Sequence, residues 1–224
     1  MPSAKLELIP AILSSEQEVV QQQLLLAGQE SKFRVVQIDI ADGQLVEALT
    51  VTPYDVKDLD FGSLQVDFHL MTQDPLDYLW EIAAQGPALP VRAVLGQVER
   101  MSDQAAFIAG CHEYGYQAGL ALDLITPVES VETEMWGRLD KILLLSVPMG
   151  AQGQKFSELI WDKITAVREQ CRQCQSRCQI IVDGGVRPNV LSELMANQVH
   201  EAAVGSYLWR GNFRQNCDTL WQVL

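Results

Sequence analysis

Basic side chains are scarce in this sequence of 224 residues, which has 16 Lys and Arg against 29 Asp and Glu and a formal net charge of −13. A surface of this sign repels the phosphates of nucleic acids and of anionic membranes, so we expect neither as a partner. A small phosphorylated molecule remains compatible with the charge, because backbone N–H groups and helix N-termini can hold a phosphate without Lys or Arg.

The sequence also lacks an apolar run of about 18 residues, the length that a membrane span requires. Its first eight residues do not combine a basic region with an apolar segment, as a secretory signal would. The five cysteines are an odd number, and this is typical of reduced thiols rather than of a disulfide framework. We therefore expect a cytoplasmic protein.

Three of the cysteines, Cys171, Cys174 and Cys178, are crowded into one short segment. Thiolates at this spacing could hold zinc or an iron–sulfur cluster. A fourth ligand is not evident nearby, however, and the segment has the pattern of a helix end. We interpret the three as ordinary reduced cysteines.

Eight short apolar runs alternate with longer amphipathic segments such as Val128–Met135, with no linker or composition break between them. Buried strands that alternate with helices favour a closed parallel (β/α)8 barrel over an open doubly wound sheet. The length suits one such barrel, so we predict a single domain over residues 1–224. The predicted strands are Leu6–Ile12, Val35–Ile40, Leu64–Leu70, Val91–Leu95, Gln117–Ala121, Lys141–Leu145, Gln179–Val182 and Ala202–Val204.

Polar side chains interrupt three of these runs near their carboxyl ends, where (β/α)8 barrels carry their functional groups. Gln37 and Asp39 are two residues apart and therefore face the same side of their strand, as do Asp67 and His69 in the next strand. Asp183 ends the seventh strand. A single Asp or His at a strand end is usually structural. The coincidence of three strands at one rim favours a functional cluster.

Small residues follow the last three predicted strands. Barrels often build a phosphate site from these late loops, because glycine lets backbone N–H groups approach a ligand closely. Each pair alone is a weak signal, but together they favour a phosphate cradle. They are Gly150 and Gly153 after strand six, Gly184 and Gly185 after strand seven, and Gly205 and Ser206 after strand eight.

Six motifs occur in an order and at spacings that can be compared with a known family. They are Pro10–Ser14, Gln37–Gly43, Asp67–Met71, Ala121–Pro127, Ser146–Phe156 and Val182–Gly185. Over nearly the whole chain they resemble the ribulose-phosphate 3-epimerase family. The resemblance implies a single (β/α)8 TIM barrel of the ribulose-phosphate-binding type.

The resemblance also implies a reaction, the interconversion of D-ribulose 5-phosphate and D-xylulose 5-phosphate by proton transfer at C3. Asp39 and Asp183 take the roles of the two acids, one on each face of the sugar. A divalent metal, which could be Zn, Fe, Mn or Co, is implied at Asp39, His69 and Asp183, with Gln37 as the weakest candidate ligand. Ser14 and Met71 join the late-loop glycines and Ser206 as expected contacts of a phosphorylated ketose, and a homo-oligomer is left open.

The chain departs from the family pattern at several positions of the expected pocket. Gln37 replaces a metal-binding His, and an amide oxygen is a weaker ligand than imidazole for zinc or iron, so the metal could be absent. Ala11 and Ala41 replace a Ser and a Met, and the loop of Ala151 and Gln152 lacks an aromatic and a Gly. Two alternatives to the ribulose-phosphate epimerase follow. One is a catalytically impaired relative that binds a sugar phosphate or a protein partner, and the other is an epimerase of a ketohexose 6-phosphate.

Overall fold

Eight parallel strands close into a barrel in sequence order in the computed structural model, which describes residues 6–224. The first strand pairs with the eighth from Glu7 opposite Glu201 to Pro10 opposite Val204, which completes the ring. The predicted (β/α)8 barrel is therefore confirmed. The strands are β1 (Glu7–Ile12), β2 (Val35–Ala41), β3 (Gln65–Met71), β4 (Val91–Gln97), β5 (Gln117–Leu122), β6 (Lys141–Leu145), β7 (Gln179–Asp183) and β8 (Glu201–Val204).

The helices surround the barrel, and none of those described within residues 6–224 is long and apolar enough to cross a membrane. The segment after β5 differs from its helical pattern, because Val128–Ser130 and Thr133–Met135 form two short 3₁₀ turns instead of one helix. The turns bury Val128, Val131 and Met135 against the barrel. The helices are α1 (Gln17–Gln29), α2 (Pro53–Val56), α3 (Pro75–Gln85), α4 (Gln104–Glu113), α5 (Ile160–Gln173), α6 (Pro188–Ala196), α7 (Ser206–Trp209) and α8 (Phe213–Trp221).

Local side-chain signals fix the starts of several helices near the carboxyl-terminal rim of the barrel. Asp74 and Asp103 precede α3 and α4, and each accepts a hydrogen bond from a free N–H of the first turn. Thr52 does the same for α2 and completes a capping box with Asp55. Such caps satisfy donors that a helix cannot pair internally, so each βα loop ends at a defined point.

Four charged side chains fill the opposite, amino-terminal end of the barrel. Arg92 donates to both oxygens of Asp67, at 2.9 and 2.5 Å, and to both oxygens of Glu201, at 3.0 Å each. Lys141 donates to Glu201 at 2.6 Å. Asp67, Lys141 and Glu201 are almost fully buried. Each buried charge has an opposite partner, as burial requires, so Asp67 belongs to this network and lies apart from His69.

The cysteine segment also lies at the amino-terminal end of the barrel, where α5 ends and β7 begins. The sulfur atoms of Cys171 and Cys178 are 3.2 Å apart, and Cys174 accepts a hydrogen bond from Gln170. Within residues 6–224, the only three His, Cys, Asp or Glu side chains close enough to share an ion are outside this segment. No disulfide joins any of the three within the described residues.

Candidate active site

Three side chains from three strands meet at the carboxyl-terminal end of the barrel. Asp39 and His69 are direct partners in the β2–β3 register, and Asp183 is the last residue of β7. One ligand atom of each lies within 4.8 Å of those of the other two. Asp39 and His69 are buried, whereas Asp183 is partly exposed. The fold therefore brings together the three residues that the strand-end pattern selects.

The side-chain amide of Gln37 lies between the two carboxylates. Its nitrogen donates to Asp39 Oδ1 at 2.8 Å and to Asp183 Oδ2 at 2.6 Å. Burial, and then the negative charge of Asp39, raise the pKa of Asp183 to about 6. In this arrangement Gln37 turns its nitrogen toward the cluster, so it supports the carboxylates and is not placed as a ligand.

The imidazole of His69 is contacted from both sides. Nδ1 lies 3.0 Å from Asp39 Oδ1, and Nε2 lies 3.0 Å from the amide of Gln97. The other side of the Gln97 amide faces two acceptors, Ala121 O at 2.9 Å and Glu99 Oε2 at 2.7 Å, so the amide nitrogen faces these and the oxygen faces His69. Such an assignment follows from the hydrogen-bond network. The N–H of His69 is then at Nε2, and the lone pair of Nδ1 points at Asp39.

The donor set of this cluster fits a divalent metal. Two carboxylates and one imidazole are a ligand set found in catalytic metal sites, which need three protein ligands and keep a position open. In the neutral ring the lone pair of His69 Nδ1 faces an oxygen of Asp39, and two such acceptors are brought together by a proton or a metal cation between them. The contact therefore has the chemistry of two ligands of one ion.

The cluster lies at the floor of a pocket whose upper wall is built by the last three βα loops. Ala11 and Met71 line it beside the cluster. Leu13 lines the pocket but Ser14 does not, because the Ser14 hydroxyl turns away to accept a hydrogen bond from Glu16 N at 3.1 Å. The expected contact of Ser14 with substrate stays a prediction. The small residues that line the wall are Gly150, Gly153, Gly184, Gly185, Gly205 and Ser206.

The glycine pair after β7 is required by close packing. Gly184 and Gly185 have φ of 100° and 60°, which L side chains rarely adopt. A Cβ on Gly184 would lie 2.5 Å from Val147, and one on Gly185 would lie 2.5 Å from the backbone nitrogen of Phe156. The pair lets the loop after β6 approach the loop after β7, and both loops line the pocket.

An arginine that the sequence motifs do not include lies against this wall. A Cβ on Gly153 would meet the guanidinium of Arg210 at 2.5 Å, so the two groups are in contact. Arg187, Ser206 and Arg210 also line a small adjoining cavity. Within residues 6–224 neither arginine takes part in an ion pair. The only signal for Arg210 in the sequence is its place shortly after Gly205-Ser206.

Two contacts tie the pocket wall to β1. Trp209 donates its indole N–H to Ala11 O at 2.7 Å, which holds the α7 segment over the end of β1. The amide of Gln152 reaches Leu13 O at 3.5 Å across the pocket mouth. The Gln152 side chain therefore extends over the entrance, where a glycine would leave it open.

The sequence profile described as the Ribulose-phosphate 3 epimerase family matches residues 7–209. A protein named ribulose-phosphate 3-epimerase from Synechocystis is 27% identical over 207 residues, which cover 91% of this chain and 87% of that protein. A protein of the same name from Escherichia coli is 30% identical over 178 residues, which cover 78% of this chain and 76% of that protein.

Solved structures of other proteins are similar in fold alone. The tryptophan synthase α-subunit of Pyrococcus furiosus has a TM-score of 0.60 and 14% identity, covering 98% of both chains. Phosphoribosyl anthranilate isomerase of Thermus thermophilus has a TM-score of 0.60 and 11% identity, covering 97% of this chain and 98% of its own. With the family profile matched over most of its length, this chain belongs to the ribulose-phosphate 3-epimerase family.

Proposed function

We propose that this protein is a ribulose-phosphate 3-epimerase, which interconverts D-ribulose 5-phosphate and D-xylulose 5-phosphate. The observation that carries the proposal is the pair of carboxylates, Asp39 and Asp183, that approach each other at the floor of a pocket with a glycine-rich wall. The family to which the chain belongs supports the same reaction.

Two carboxylates suffice for the proton transfers of such a reaction. One removes the C3 proton next to the C2 carbonyl, and the other returns a proton to the opposite face, so each acts as base in one direction and as acid in the other. Gln37 donates to both Asp39 and Asp183 and holds them in a fixed relation. This positioning of the two groups around one carbon atom is itself a source of catalysis.

Asp39, His69 and Asp183 are the residues that would hold a divalent metal ion such as Zn, Fe, Mn or Co. Such an ion, when bound, supplies Lewis-acid stabilisation of the negative charge that develops on the substrate oxygens. The buried position of Asp39 and His69 keeps water away from this end of the pocket. Charge stabilisation is stronger in such a water-poor site.

The phosphate of the ketose is proposed to bind at the glycine-rich wall. Gly184 and Gly185 open the backbone there, and Ser206 offers a hydroxyl and an N–H beside them. Arg210 adds a positive charge next to Gly153, in a protein that is otherwise strongly acidic. A guanidinium forms charge-assisted hydrogen bonds with phosphate, so Arg210 favours a phosphorylated ligand.

Incubation of the purified protein with D-ribulose 5-phosphate in deuterated water tests the proposal, with Mn, Fe, Zn and Co added in turn. We expect xylulose 5-phosphate and deuterium at C3 with at least one metal, and neither product with Asp183→Asn. Asp58→Asn, which removes an exposed acid far from the pocket, is the matched control. Failure of the native protein to exchange the C3 proton with every metal would contradict the proposal.

The same experiment separates the two alternatives. A ketohexose 6-phosphate epimerase would exchange the C3 proton of the larger sugar and reject ribulose 5-phosphate. A catalytically impaired relative would exchange neither but would still be stabilised against heat by a sugar phosphate, because a ligand that binds only the folded state raises the melting temperature.

A further inference from the structure

Two residues of the β4 end, Gln97 and Glu99, contact the cluster from behind and have no place in the proton transfers described above. Gln97 is completely buried and Glu99 is partly buried. They form a continuous hydrogen-bonded path from Glu99 through Gln97 to His69 and Asp39. The donor and the acceptor of each hydrogen bond in this path can be assigned in turn, starting at Glu99.

The carboxylate of Glu99 accepts hydrogen bonds from two donors on neighbouring residues, and these fix its orientation. Its Oε1 accepts from the backbone N–H of Asp123 at 2.8 Å and from the hydroxyl of Thr126 at 2.6 Å. A backbone N–H can only donate, so this end of Glu99 is fixed as an acceptor. Its second oxygen, Oε2, is then left facing Gln97.

The orientation of the Gln97 amide follows from this acceptor. Its nitrogen is 2.7 Å from Glu99 Oε2 and 2.9 Å from Ala121 O, and both of these can only accept. The amide oxygen must therefore face His69 Nε2, 3.0 Å away. The opposite orientation would leave the amide oxygen against two other buried oxygens, which is costly.

An amide oxygen at this position requires a proton on His69 Nε2. In the neutral ring the other nitrogen, Nδ1, then offers its lone pair on the side of Asp39 and Asp183. We propose that Gln97 and Glu99 are positioning residues that hold the His69 proton on Nε2 and thereby present Nδ1 as a metal ligand. The inference rests on the proposed function in one respect, the metal at Asp39, His69 and Asp183.

Histidine ligands of metals commonly donate their second ring N–H to a carbonyl or carboxylate, and loss of that partner costs affinity. Gln97 provides the carbonyl here, and Glu99 keeps it turned toward the ring. Because the carboxylate acts through Gln97, the two form a relay in which a change at Glu99 weakens the hold on the Gln97 amide and, through it, on the His69 proton.

Glu99→Gln is the sharpest test, because it replaces one carboxylate oxygen by NH₂ and keeps the side-chain length. The new amide must turn its oxygen to Asp123 N, so its NH₂ faces Gln97. The Gln97 amide then lies between this new donor and the Ala121 carbonyl, so neither of its orientations satisfies both neighbours, and its oxygen is no longer held firmly toward His69 Nε2. Glu129→Gln, an exposed acid replaced by the same amide, is the matched control.

Two measurements that do not depend on turnover are made on folded protein. The chain has three histidines, so their ring nitrogens can be assigned by ¹⁵N NMR. We expect a proton on His69 Nε2 in the native protein and the Glu129→Gln control, and a smaller fraction of molecules with that proton in metal-free Glu99→Gln. Zinc competition should show affinity lower by about 10- to 100-fold in Glu99→Gln and unchanged in the control.

A second variant covers the case in which Glu99→Gln does not fold. Gln97→Met removes the carbonyl with similar length and should lower zinc affinity by about the same factor. The inference is overturned if the native protein does not bind zinc, or if a folded variant keeps both native zinc affinity and the proton on His69 Nε2. Native zinc binding with the expected tautomer but no epimerisation would instead contradict the proposed reaction and leave the relay intact.

Discussion

The two ends of the barrel differ in whether their buried charges have partners of opposite sign. At the amino-terminal end, two acids and two bases form a closed network in which every charge has a partner. At the carboxyl-terminal end, Asp39 and Asp183 share a neutral amide donor, Gln37, and no Lys or Arg of residues 6–224 pairs with either. Balanced charges stabilise a fold, whereas two acids without a balancing cation are ready to bind one or to accept a proton.

The largest expected effect comes from removing one acid at the unbalanced end. Asp183→Asn should lower kcat/KM for ribulose 5-phosphate by about 10³-fold, within the range usual for the loss of a general acid or base. The free energy of unfolding should be unchanged or higher, because the repulsion between two close carboxylates is removed. Steady-state kinetics and urea unfolding measure the two quantities. A variant that loses stability and keeps its turnover would show that Asp183 stabilises the fold, as the charges at the amino-terminal end do.

The balanced end should show the reverse behaviour. Lys141→Met leaves Glu201 with Arg92 alone and should lower the free energy of unfolding by about 3–5 kcal/mol, as expected when one partner of a buried pair is removed. For a chain of this size the melting temperature would fall by about 10 °C. Turnover per folded molecule should not change, since Lys141 lies at the far end of the barrel. Arg138→Met, at an exposed position, is the control.

A smaller effect is expected at the pocket wall. Arg210→Ala should raise KM for the phosphorylated ketose by about 10-fold, the equivalent of one charge-assisted hydrogen bond, with little change in kcat. Inorganic phosphate should also protect the variant less against thermal unfolding. Arg214→Ala removes an exposed arginine nearby on α8 and serves as the control. Equal KM values for the two variants would show that Arg210 takes no part in binding phosphate.

The smallest effect on catalysis is expected from modification of Cys171. A hydrogen bond from Cys178 lowers the pKa of the Cys171 thiol, whereas burial raises the pKa of Cys111. Thiolate is the reactive form, so iodoacetamide should alkylate Cys171 well before Cys111. Mass spectrometry gives the order of labelling. Turnover should not change when Cys171 is modified. A loss of turnover would show that this end of the barrel affects the active site.

The sequence allows much of the site to be predicted, because strand alternation places Asp39 and His69 on one side and the strand ends share one rim. The roles of Gln97 and Glu99 could not be predicted, since they depend on donor and acceptor orientations across β3, β4 and β5. The partners Arg92 and Glu201 are 109 positions apart on β4 and β8, and the curvature of the closed barrel brings them together. The direction of the Ser14 hydroxyl, toward Glu16 N, could not be predicted either, because a strand-end motif does not tell where the strand leaves the rim.

The pairing of β1 with β8 has a consequence for how the protein is made. The two strands that close the barrel are near opposite ends of the chain, so β1 has no partner on one side until Glu201–Val204 has been synthesised. Contacts this distant in sequence form slowly, and a strand edge that is still unpaired can pair with other chains. The growing chain therefore carries an exposed β1 edge until β8 has emerged from the ribosome, and the part of the pocket wall formed by Gly205 and Ser206 is completed only after that strand.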